Sequence, residues 1–121
     1  MYVDSREQID QMLMLDEDIL FRRLGNIDFQ IKEKGEYNPF FIMEIDFLER
    51  GKMVFQKYAE KVKEKICPIY ENMRQSGVLD TSEKVYFFII GYLMALDTHR
   101  AVAVGVAAIV TKQGLHSLCR G

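Results

Sequence analysis

Between Val85 and Val110 the chain reads VYFFIIGYLMALDTHRAVAVGVAAIV. Three residue types that do chemistry, Asp97, His99 and Arg100, stand between its two most apolar stretches. A carboxylate near an imidazole orients it as a general base, and an arginine holds an anionic substrate. The spacing works against that use. Asp97 and His99 are two apart, so on a continuous helix they face different ways and meet only at a turn. The alternative is a helix junction, in which Asp97 or Thr98 caps, His99 is an ordinary first-turn residue and Arg100 enters an ion pair. The junction is the preferred reading. A small enzyme with Asp97, His99 and Arg100 at a cleft ranks third among the functions considered.

A metal site is weaker still. His116 and Cys119 stand at i and i+3, but structural zinc wants four ligands, and Cys67 and His99 would join only by tertiary coincidence. No metal or cofactor is expected. Glu-x-x-His, H-E-x-x-H and G-x-S-x-G are absent, and Gly51-Lys52 is only a fragment of a phosphate-binding loop.

Lys57, Lys61 and Lys65 recur every four residues and form the one basic stripe, to which Arg22 is a candidate addition. Such a stripe suits phosphates. Glu60 and Glu64 interleave with it, and the whole chain carries a net charge of -2, so there is no general pull toward nucleic acid or anionic lipid. A nucleic-acid-associated accessory protein is therefore the runner-up.

These residues need elements to position them. Ser5 and Gln8 have capping-box spacing ahead of Ile9, Met12 and Leu13. Asp16 caps a second signal that is expected to end at Gly25 or Asn26, so residues 5–24 form one bent helix or two short ones. Ile27, Phe29 and Ile31 then alternate with polar residues at a strand period, yet no partner strand exists. Residues 26–38 are read as an extended linker or short helix.

The clearest pattern lies in 40–75. Phe41, Ile45, Leu48, Lys52, Phe55, Ala59, Val62, Ile66, Ile69 and Met73 follow steps of four and three, broken only by Lys52. Phe40, Met43, Phe47, Val54 and Tyr58 widen the first half, which predicts deep burial there and a second half nearer solvent. Pro68 predicts a kink near Lys65–Cys67, and Ser76-Gly77 ends the element. Asp80 and Glu83 have the spacing of a further cap. Residues 85–96 are apolar nearly all round, and the run 99–113 stops at Gly114. Ala101, Gly105 and Ala108 share a face open to close approach, which is expected to end before Lys112.

A membrane span needs ~20 apolar residues. Here runs of twelve and ten are separated by Asp97, His99 and Arg100, charges that are costly at mid-bilayer. A buried helical hairpin is the better reading. Cys67 and Cys119 are too few for a disulfide framework and read as free, small, buried residues. The first residues, MYVDSREQID, lack a basic region followed by an apolar run, which points to the cytoplasm.

The expectation is one all-α domain over 1–121, a compact helical bundle of about five to six helices with a long kinked central helix. Six of the eight Phe fall at 40, 41, 47, 55, 87 and 88. Two such apolar elements in 121 residues exceed what one monomer readily covers, so the leading function is a non-enzymatic interaction module that forms a homodimer.

Overall fold

The first two elements part at Asp16, which stands at the N-cap of the second but makes no side-chain capping bond. In the computed structural model, which describes residues 6–36, 38, 46–77, 79 and 81–120, α1 (Arg6–Leu13) stops short and α2 (Glu17–Lys34) begins anew. Asp16 is extended at its N-cap, with Glu17 and Asp18 at the positive end of α2 and Lys32 and Lys34 at the negative end. Its carbonyl accepts from the amides of Ile19 and Leu20. The proposed capping residue Ser5 and the core candidates Phe40, Phe41, Met43 and Ile45 lie outside the described residues, as does Asp80.

α2 corrects two expectations. It does not exit at Gly25 or Asn26, and of the two readings of residues 26–38 the helical one holds for 26–34, as the continuation of α2 and not as a separate short helix or a linker. Leu20, Leu24, Ile27 and Ile31 form the true seam, at steps of four, three and four. The apparent alternation arose because two polar residues, Asp28 and Gln30, also face inward. Each is satisfied. Asp28 pairs with Arg50 at 3.0 Å and with Lys32 at 3.5 Å, and Gln30 donates to Asn26 and accepts from the Asn38 amide. The exit comes at Gly35, left-handed at φ 77°, whose amide bonds to Ile31 O.

α3 (Leu48–Ile66), a 3₁₀ turn (Cys67–Ile69) and α4 (Tyr70–Gln75) join into one kinked helix of 28 residues. The kink falls where Pro68, lacking an amide proton, was expected to place it. The burial gradient differs from expectation. Val62 and Ile66 are 0% and 2% exposed, as deep as anything in the first half, and solvent is reached only at Ile69. At its end the helix is tied to α7 by Cys67–Cys119 and by Tyr70 against His116, and α6 also packs on α3.

α5 (Ser82–Ala95) is capped by Thr81, whose hydroxyl accepts from the Lys84 amide at 3.2 Å, so Thr81 performs the capping that the spacing assigned to Asp80. α6 (Arg100–Gln113) is the hub, touching α1, α2, α3, α5 and the terminal helix α7 (Leu115–Arg120). Its small side chains explain this: Ala101, Ala103, Ala107 and Ala108 are all buried, so neighbours approach from several sides. The expected close face is present, with Gly105 tight against Leu24 of α2. Contact does not end before Lys112, however. Its ammonium donates to Leu13 O at 2.6 Å, capping the negative end of α1. No described helix is long and apolar enough to cross a membrane.

The cysteines are the largest correction. Cys67 and Cys119 are not free but form a disulfide, with Cα atoms 5.3 Å apart, across 52 residues of sequence. Sequence distance hid a proximity that folding of α7 onto α3 creates.

Candidate functional site

The junction residues occupy consecutive positions in a helix ending and a helix beginning. Asp97 takes φ 60°, a left-handed conformation that Asp tolerates better than most side chains. Its amide bonds to Met94 O, and the Thr98 amide reaches back to Leu93 O. Those two bonds are the Schellman pattern that satisfies the last carbonyls of a helix. His99 is the N-cap of α6, not a first-turn residue: Nδ1 accepts from the Ala101 amide at 3.1 Å. Arg100 points its guanidinium at Met94 Sδ, 3.8 Å away. Asp97 and His99 are exposed. The Asp97 backbone therefore ends α5, the His99 ring starts α6 and Arg100 braces the turn between them.

The lysine stripe is also built. Lys57, Lys61 and Lys65 are exposed on α3. Lys57 and Lys61 lie 5.5 Å and 5.4 Å from the ring centre of half-buried Tyr58. The sequence reading overlooked this aromatic seat, although Tyr58 stands one and three residues from the two lysines. Beside it, the Tyr92 hydroxyl of α5 donates to Lys61 O at 3.2 Å. Desolvation, then Glu64, raises the Tyr92 pKa. Arg22 is engaged elsewhere, with Asp46 at 3.1 Å. That carboxylate also accepts from the Leu48 amide at the start of α3, and these two bonds lower its pKa, the amide first.

The outer face of α5 is the third candidate. α6 covers one side of this helix, where Tyr86, Ile89, Ile90 and Leu93 are buried. On the other side Phe87 and Met94 remain 38% and 40% exposed, and Leu96, just past the end of the helix, is 43% exposed. Gly91 lies between them, exposed, and a Cβ built on it meets no atom within 4 Å. Lys84, whose ammonium donates to Gly77 O at 3.1 Å, stands at one end of this strip and Asp97 at the other, both exposed. The signal for this face was the all-round apolarity of residues 85–96.

No group of three or more His, Cys, Asp and Glu among the described residues is placed to hold a metal. His116 instead sets its ring against Tyr70, with centroids 6.3 Å apart, and Cys119 is spent in the disulfide. No family model, curated protein or solved structure matches the chain.

Proposed function

We propose that the protein is a non-enzymatic helical interaction module that pairs with a second copy of itself through the outer face of α5. The observation that carries this is the strip Phe87, Gly91, Met94 and Leu96, an apolar set left partly exposed among the described residues, with Arg100 lying along Met94. Large aromatic and thioether groups around a glycine suit helix-on-helix packing, because the missing side chain lets two backbones come close.

The strip is also self-complementary. Lys84 lies seven residues before Gly91, about 10 Å along the helix axis, and Asp97 stands in the turn just past the helix end at Ala95. A twofold axis beside Gly91, with the helices antiparallel, sets Lys84 of each copy opposite Asp97 of the other. It also sets each Phe87 against Met94 and Ala95 of the other copy. An isologous contact of this kind closes on itself and stops at two chains. Light scattering at micromolar concentration is expected to give twice the chain mass, and Phe87→Glu to return it to one. A monomer over the whole concentration range would remove this reading.

A second reading has the seat of Lys57 and Lys61 on Tyr58 in its favour. That arrangement suits a phosphate backbone with a base laid on the ring. A low-salt gel shift with single- and double-stranded DNA and RNA tests it, and no shift would dismiss it.

A further inference from the structure

We propose that Cys67–Cys119 is a reversible thiol–disulfide site, opened by a dithiol reductant, whose state decides whether α7 stays docked. The inference is independent of the α5 face.

Both cysteines are only half-buried, so a reductant's thiolate reaches the bond without unfolding the core. What the bond restrains is small. α7 has six residues, far below the length at which a helix persists alone in water. It is connected through Gly114, at φ 91° with open space where a Cβ would be, a joint that swings without steric penalty. Its other attachments are Leu115, buried in the core, Leu118, half-buried, and the His116 ring against Tyr70. The opposite anchor, Cys67, opens the 3₁₀ turn that carries Pro68, the one place where the long helix is already interrupted. The main body, in which α2 packs on α3 and α6 and α6 packs on α5, is assembled without α7. Opening the bond thus releases one terminal helix and leaves the rest in place. In a reducing compartment, where such bonds are chiefly transient and regulatory, a pair built this way suits a sensor.

The exchange balances as follows. A thiolate of the reductant attacks one sulfur of the pair; the S–S bond breaks, and the other cysteine leaves as a thiolate and takes up a proton. The reductant's second thiolate then attacks the mixed disulfide and expels the remaining cysteine, which is protonated in turn. Two electrons and two protons pass to the pair, and the dithiol ends as its own disulfide.

The test uses the full oxidised chain and dithiothreitol in native buffer. Maleimide adducts counted by mass spectrometry report the thiols, and amide hydrogen exchange reports the helices. Two adducts are expected without denaturant. Exchange should rise at least ~10-fold in 115–120 while α3 and α6 keep their protection, as local opening requires. Oxidised glutathione should restore the first pattern. A Cys67→Ser/Cys119→Ser variant should show the released pattern and ignore the reductant. Labelling only in denaturant, unchanged protection of α7 after reduction, or loss of protection throughout the chain would each overturn the proposal.

Discussion

Gly25 of α2 and Gly51 of α3 meet where the two helices cross: a Cβ built on Gly25 would stand 2.8 Å from the backbone nitrogen of Gly51, and one on Gly51 would run into the Phe21 carbonyl. The contact is backbone against backbone, so no side chain can turn aside. Arg50–Asp28 and the edge contact of Phe21 with Phe55, centroids 5.5 Å apart, flank the same crossing.

Gly25→Ala and Gly51→Ala should therefore destabilise. In an open helix interior the same change gains up to ~1 kcal/mol. Here overpacking outweighs it by ~1–3 kcal/mol or more, about 4 °C of Tm for each kcal/mol in a chain of this size. Gly91→Ala, with open space around it, should stabilise the isolated chain. Calorimetry of the three variants checks the contrast in sign, and a gain at Gly51 would contradict the crossing.

Cys119→Ser should lower global stability. The disulfide spans 52 residues, and a loop of that length corresponds to about 4 kcal/mol in the chain-entropy account. Urea unfolding of oxidised protein and variant measures it. A difference near zero would mean that the bond constrains little in the unfolded chain.

The charges at the ends of α5 should set the pairing of two copies. Lys84→Asp or Asp97→Lys alone places like charges opposite each other and should weaken the dimer about tenfold, the scale of one well-placed ion pair. The double exchange restores opposite signs and should recover much of the loss. Analytical ultracentrifugation gives both constants. Additive losses in the double variant would argue for a different arrangement of the two helices.

Acid should loosen the start of α3 through Asp46. Its pKa is lowered in the folded chain by the Leu48 amide and by Arg22. A group with a depressed folded pKa contributes stability above its unfolded value, ~3.9, and that contribution is lost as pH falls through the folded value. The Tm gap between the wild type and Asp46→Asn should be constant above about pH 5 and close below pH 4, in the window those pKa values define. A gap that persists at pH 2 would show that the carboxylate's charge is not what matters.

Much of the helical plan was legible in the residues themselves. The apolar steps from Phe55 to Ile66, the kink at Pro68 and the break between Leu96 and Arg100 are local matters, governed by side-chain period, a missing amide proton and turn chemistry. These were read correctly because each depends on neighbours within a turn or two. Asp97, His99 and Arg100 were likewise legible as a junction, although which residue takes the N-cap was settled by the backbone, at His99.

The misreadings share one cause. Gly25 looked like a helix stop because, taken alone, it disfavours a helix interior; only Gly51 across the crossing gives it a reason to stay. Asp28 and Gln30 gave α2 a strand-like alternation that left an extended linker open beside a short helix, because polar residues facing inward are sensible only once Arg50, Asn26 and Asn38 are there to satisfy them. Cys67 and Cys119, 52 residues apart, carry no mark of pairing until α7 closes on α3. Periodicity and capping, acting over a few residues, determined where helices form. Close approach, buried polar pairing and the covalent link act between elements distant in sequence, and only the tertiary structure decided them.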